Sequence, residues 1–230
     1  MFSKKQLNGQ LMPDKTLCLT FDDGPGETIG EGSGPKTLKI GHYLKDENIS
    51  ATFFMVGKFA GQFPTLLPEL FNLGHTIANH TYNHVNIVNT LKKGCDLITE
   101  FTRTDDLIKE FVPNNTVYFR APWGEWPSKA AEILNKKLDN GLRHIGPIHW
   151  DIDCEDWSYW ARGCKAEECA EAYLTKIFNL RKGIVLMHDS TADILGARIS
   201  NLTFETIKII VPILKGFGYK FVSLDEAIKL

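Results

Sequence analysis

No apolar run in this chain approaches the roughly 18 residues of a membrane-spanning helix, and no block of lysine or arginine occurs. The 26 basic and 28 acidic residues nearly cancel, for a net charge of −2. Nucleic-acid and membrane-surface binders concentrate positive charge, so neither class fits. Cysteine is scarce, with 5 in 230 residues, and an odd count leaves at least one thiol unpaired within the chain. Cys18 falls in a core-type strand as a small hydrophobe. Cys154, Cys164 and Cys169 lie close enough in sequence to include a disulfide, but none of the spacing is Cys-x-x-Cys, which argues against a cysteine zinc site. The opening Met1-Phe2-Ser3-Lys4-Lys5-Gln6-Leu7-Asn8 lacks the apolar core of a signal peptide. The expectation is a cytosolic chain or a processed mature form.

What is present is ordinary soluble-domain material, 43% hydrophobic and 23% charged, with no linker or low-complexity tract. A single domain over 1–230 is expected. Short β-type runs alternate with longer helical patterns. The pattern predicts strands over Thr16–Phe21, Ala51–Val56, His75–Ala78, Val117–Arg120, Arg143–Ile152, Gly183–His188 and Tyr219–Ser223. Helices are predicted near Pro35–Glu47, Pro64–Leu73, Thr90–Phe111, Pro127–Asn140, Ala166–Leu180 and Asn201–Phe217. Repeated βα units predict an α/β fold with a parallel sheet, closed as a barrel or open and doubly wound.

The chemistry-bearing residues gather at the C-terminal ends of these strands. Asp22 and Asp23 follow the first, His80 and His84 the third, and Arg120 closes the fourth. Asp153 and Asp156 follow the fifth, and His188 ends the sixth. In a βα-barrel that face carries the active site. The adjacent carboxylates of Thr20-Phe21-Asp22-Asp23-Gly24-Pro25 repel unless a cation intervenes, although Asp-Asp-Gly-Pro is also plain turn chemistry. His80-Thr81-Tyr82-Asn83-His84 spaces two imidazoles to share one face of a helical turn. With a carboxylate they form a two-His, one-Asp set suited to zinc with an open position, and also to cobalt or iron. His188 emerges from an apolar strand either as a satisfied core group or as a proton donor oriented by Asp156 or Asp153. Arg120 would hold an Asp of the first strand ionised and fixed in direction, or form a strand-end ion pair without catalytic meaning. His75 is expected to pack structurally, and His42, His144 and His149 show no partner pattern.

Taken in order, Thr20-Phe-Asp-Asp-Gly-Pro25, His80-Thr-Tyr-Asn-His84, Arg120-Ala-Pro-Trp123, Asp153-Cys-Glu-Asp156-Trp157 and Leu186-Met-His188 resemble the polysaccharide deacetylases of carbohydrate esterase family 4. The resemblance implies a distorted, TIM-like (β/α) barrel of about seven βα units. It implies a divalent ion, zinc first and cobalt second, on Asp23, His80 and His84. It also implies Asp22 as general base held by Arg120, and His188 as general acid tuned by Asp156. Trp123 would offer its backbone N–H to the oxyanion, and Trp157 and Leu186 would line an acetyl pocket. The implied reaction is removal of acetyl, N-acetyl first, from an amino-sugar oligomer or polysaccharide by metal-activated water, in a family that works mostly outside the cytoplasm. The third motif departs from the usual pattern: Ala121 stands where Pro is common and Trp123 where Tyr is common. The larger ring would reshape the sugar-facing surface. Trp126, Tyr159 and Trp160 are further candidate sugar platforms, of which about half, counted with Trp123 and Trp157, are expected to touch substrate.

Other readings are weaker. Gly30 through Thr37 approaches a phosphate-binding loop, but Pro35 removes an N–H that a phosphate would need, leaving Gly24–Pro35 as a rim loop. An iron oxygenase needs no separate Asp base and His acid. A small-molecule amide or cyclic-imide hydrolase on a similar barrel remains the nearer alternative. A non-catalytic carbohydrate-binding relative would be expected to lack one of these groups, and none is missing.

Overall fold

Every strand pairing among the described residues is parallel, as repeated βα units require. The computed structural model describes residues 1–26 and 33–229. Its strands are β1 Phe2–Leu7, β2 Thr16–Asp22, β3 Thr52–Met55, β4 Thr76–Asn79, β5 Thr116–Tyr118, β6 Arg143–Ile148, β7 Gly183–His188 and β8 Lys220–Phe221. They form two sheets, β1-β6-β5 and β4-β3-β2-β7, with β8 beside β2. Single bridges, Asn79 to Phe119 and Ile152 to Val185, join the sheets at both seams. Among the described residues the strands therefore follow one another round a distorted ring that no continuous ladder closes.

Strand parity decides what points where. All seven residues of β2 are buried, because a parallel sheet is covered on both faces. Leu17, Leu19 and Phe21 join Phe53, Val185 and Met187 in the outer core beneath the helices. Cys18 turns the other way, into an inner cluster with Phe54, Ala78, Tyr118, Ile148 and Ile184. With a period of two, Thr20 and Asp22 share the inner face of Cys18. The β2–β7 register sets Cys18 against Ile184, Thr20 against Leu186 and Asp22 against His188. One acid and one imidazole thus arrive side by side at the top of the inner face.

Several expectations need correction. β1 was not anticipated: FSKKQL is half-exposed and lacks an apolar run, and its pairing with β6 is long-range. The helix predicted over Thr90–Phe111 is two helices, Ile87–Lys92 and Leu97–Ile108. Gly94 between them has φ 67°, and the Asp96 carboxylate accepts from the N–H of Ile98 and Thr99 to start the second. All five cysteines are free, so Cys154, Cys164 and Cys169 hold no disulfide. Burial pushes the Cys154 thiol up to about 11 and raises that of Cys169 further, which disfavours the reactive thiolates. The rim loop read at Gly24–Pro35 falls largely on residues 27–32, outside the described residues. Among the described residues no helix is long and apolar enough to cross a membrane.

Candidate active site

Asp22 is the last residue of β2, and Asp23 leaves the strand with φ 73°, a left-handed turn uncommon outside glycine. That one dihedral sends the two carboxylates in different directions. Gly24 follows because a Cβ there would collide with the Asp189 carboxylate, itself buried and bonded to the Thr37 hydroxyl. Asp23 Oδ2 accepts the Ala192 N–H at 2.9 Å. Its Oδ1 lies 3.1 Å from His84 Nε2 and 3.4 Å from His80 Nε2.

The two histidines do not share a helical turn as their spacing predicted. They stand on an irregular loop after β4, with Thr81 at φ 65° and His84 at φ 56°, and converge because the loop folds back. His80 Nδ1 donates to the Arg120 carbonyl at 2.9 Å. A carbonyl only accepts, so Nδ1 carries a proton and Nε2 is the nitrogen that turns toward Asp23. His84 Nδ1 lies 2.6 Å from Asp193 Oδ2. Burial opposes charge on this ring, but Asp23 and Asp193 outweigh it and push the imidazole up to about 10. Nε2 would therefore give up its proton to an ion while Nδ1 keeps its own. One atom each of Asp23, His80 and His84 then lies within 4.8 Å of the others. Two imidazole nitrogens and one carboxylate oxygen, each residue held through its other polar atom, fit a divalent ion with an open position.

Arg120 is fully buried. Its Nη1 donates to Asp22 Oδ1 at 2.7 Å and to Thr20 Oγ1 at 2.8 Å, and its Nε to the Ile148 carbonyl at 3.2 Å. The guanidinium packs over the Phe54 ring at 4.2 Å. Opposite, His188 Nδ1 meets Asp156 Oδ1 at 2.6 Å, and the His188 N–H donates to Asp156 Oδ2 at 2.7 Å. Of the two candidate orienters the geometry selects Asp156; Asp153 instead lines the wall and accepts the Glu155 N–H. Burial opposes charge on His188, but Asp156, with Asp23 and Asp22 nearby, outweighs it and the imidazole is pushed up to about 10.

These groups open into a cleft of about 240 Å³. Trp123, Trp157 and Leu186 stand in its wall, with the Trp123 ring tilted 43° to the His84 ring at 5.4 Å between centroids and 59% exposed. The other aromatic candidates serve elsewhere. Trp126 packs on Phe2 and Phe119 and donates to the Ser3 carbonyl, Trp160 is core, and Tyr159 lies outside the cleft. His75 is buried with Nε2 at the Gly41 carbonyl, His42 pairs with Glu69 on the surface, and His144 is buried against Asp105. Sequence reasoning missed Trp150, whose ring lies so close to Gly124 that a Cβ there would collide with it, and which enters the cleft wall. It also missed Thr191, Asp193 and Ile194 on the loop after β7. Nothing local distinguishes these residues from turn and strand-end chemistry.

The family model described as Polysaccharide deacetylase matches residues 9–139. A chitooligosaccharide deacetylase of Azorhizobium caulinodans is 27% identical over 213 residues, covering 89% of this chain and 90% of that protein. A peptidoglycan-N-acetylglucosamine deacetylase of Bacillus cereus is 29% identical over 211 residues, covering 91% and 67% respectively. Among solved structures, a peptidoglycan N-acetylglucosamine deacetylase superposes with a TM-score of 0.73 at 25% identity, over 94% of this chain and 89% of its own.

Proposed function

The chain belongs to the polysaccharide deacetylase family, and on that premise we propose that it hydrolyses N-acetyl groups from an acetylated amino-sugar oligomer or polysaccharide. One observation carries the reading. A carboxylate clamped by Arg120 and an imidazole clamped by Asp156 flank a two-His, one-Asp donor set in a single cleft. Asp23, His80 and His84 would hold the ion, with zinc the first candidate and cobalt the second. When bound, it supplies Lewis-acid polarisation and a lowered water pKa.

The chain's own residues do the rest. Asp22, fixed through Oδ1 by Arg120, accepts the proton of the attacking water on Oδ2. The Trp123 backbone N–H serves the oxyanion, a contribution typically worth about 3–4 kcal/mol. His188 holds its Nδ1 proton against Asp156 and gives its Nε2 proton to the departing nitrogen. Water adds to the carbonyl carbon, the C–N bond breaks, and acetate and a free amine leave. Leu186 and Trp157 form the apolar wall for the acetyl methyl, while Trp123 and Trp150 offer faces to sugar rings. The small-amide reading draws no comparable support from the relatives, whose names specify acetylated sugars.

The test is acetate release from N-acetylglucosamine oligomers by the zinc- or cobalt-loaded chain, with metal content measured in parallel. Asp22→Asn is expected to keep the metal and lose about 10²–10⁴-fold in kcat. Wild-type turnover by that variant would remove Asp22 from its role. A loaded wild-type chain that releases no acetate from any acetylated amino sugar would overturn the whole reading.

A further inference from the structure

The loop after β7 bears on two of the three donors. Its Ala192 N–H holds Asp23 through Oδ2 at 2.9 Å. The next residue, Asp193, places Oδ2 2.6 Å from His84 Nδ1. The loop is tied down from below: Arg198, itself buried, donates through Nε to the Thr191 carbonyl at 2.8 Å and through Nη2 to the Ala192 carbonyl at 2.6 Å. The Thr191 hydroxyl closes the same turn on the Ile194 carbonyl at 2.8 Å.

The three donors differ in how they are oriented. His80 is fixed by a main-chain carbonyl and Asp23 by a main-chain N–H. Among the described residues, only His84 of the three is oriented by another side chain outside the set. We propose that Asp193 is a positioning residue of the metal centre, holding His84 in the tautomer and ring orientation that present Nε2 to the ion. It does not touch substrate in this role and acts through His84. The inference rests on the metal reading above and deepens it.

A carboxylate behind a ligating imidazole fixes the ring and raises its basicity, and loss of such a partner typically weakens metal binding by about 10–100-fold. Asp193 is 42% exposed on its side chain, so water screens part of the effect and the lower half of that range is expected. The experiment is the affinity of the metal-free chain for Zn2+ by competition with a chromogenic chelator, for wild type, Asp193→Ala and Asp193→Asn. The Co2+ absorption spectrum of each serves as a coordination signature, and metal-free melting curves check the fold. Asp193→Ala is expected to bind zinc about tenfold more weakly with an altered cobalt spectrum. Asp193→Asn, which keeps an acceptor oxygen for Nδ1–H, should recover part of the loss.

Asp193→Ala binding zinc as tightly as wild type overturns the inference alone and leaves the metal centre standing. So does Asp193→Asn binding as weakly as Asp193→Ala, since the hydrogen bond would then not be the cause. A wild-type chain that binds neither ion overturns the metal reading and this inference with it. Should Asp193→Ala fail to fold, Asp193→Gly takes its place under the same affinity criterion.

Discussion

Asp22 and Asp23 are neighbours in sequence, and a single left-handed dihedral at Asp23 gives them different partners. Asp22 meets the guanidinium and Asp23 meets the two imidazoles. The pairing of His188 with Asp156 carries a pH consequence whose sign is fixed. The imidazole is raised to about 10, so its proton is held at neutral pH and lost as pH rises through that value. Its stabilising contribution is complete below the ordinary imidazole value of about 6.5 and fades toward the raised one. Asp156→Asn removes the foremost charge that holds the proton, so the basic limb of kcat/KM is expected to move to lower pH. An unmoved basic limb would separate Asp156 from the acid. Arg120 permits a second prediction at this scale. It is wholly buried with Asp22, and removing one partner of a buried pair costs about 3–5 kcal/mol. Arg120→Met should lose stability in that range by urea unfolding. Adding Asp22→Asn to it should cost less than the sum of the single changes; strict additivity would mean that the pair is not coupled.

At the scale of elements, the loop carrying His80 and His84 owes its shape to polar groups beneath it. Asn79, at the end of β4, accepts the Thr81 N–H on Oδ1 at 2.7 Å and donates through Nδ2 to buried Asp105 at 2.7 Å. Asp105 in turn takes hydrogen bonds from Asn140 at 2.7 Å and His144 at 2.9 Å. Asn79→Ala would leave the Thr81 N–H and one Asp105 oxygen without this partner, a loss of about 1–3 kcal/mol. Zinc affinity should fall alongside stability, because the left-handed Thr81 loses its anchor. Unchanged stability and affinity would show that the loop is held otherwise. The same element shows where sequence stops being legible. The four-residue spacing of His80 and His84 marked two imidazoles that do converge, yet implied a helical turn where the chain makes an irregular loop. The fold-back depends on Asn79 and Asp105, which are far apart in sequence, so no local period records it. β1 escaped for a related reason: its charged, half-exposed residues show no alternation, and its partner β6 lies at the far side of the chain. By contrast the apolar runs of β2 and β7 were visible because both faces are buried, and strand ends marked by Asp, His and Arg located the cleft.

For the molecule as a whole, the donor set ties together segments that the chain keeps far apart. Asp23 leaves β2, the two histidines follow β4, and the loop after β7 holds Asp23 and His84. The order of motifs along the sequence could place these residues at one end of a ring of parallel strands. It could not reveal Asp193 or Ala192, whose part is defined only by contact across the cleft. Such a set does not exist in the unfolded chain, so ion binding adds directly to folding stability. At a free zinc concentration about 100 times the dissociation constant, the gain is about 2.7 kcal/mol. A chain of this length shifts its Tm by about 2–4 °C per kcal/mol, so adding zinc to the metal-free protein should raise Tm by about 5–11 °C. Chelation should reverse the rise. His80→Ala combined with Asp23→Ala should abolish it, since only one donor of the three remains. An equal rise in that double variant would place the bound zinc elsewhere on the surface, and no rise in the wild type would mean that the three side chains converge without holding an ion.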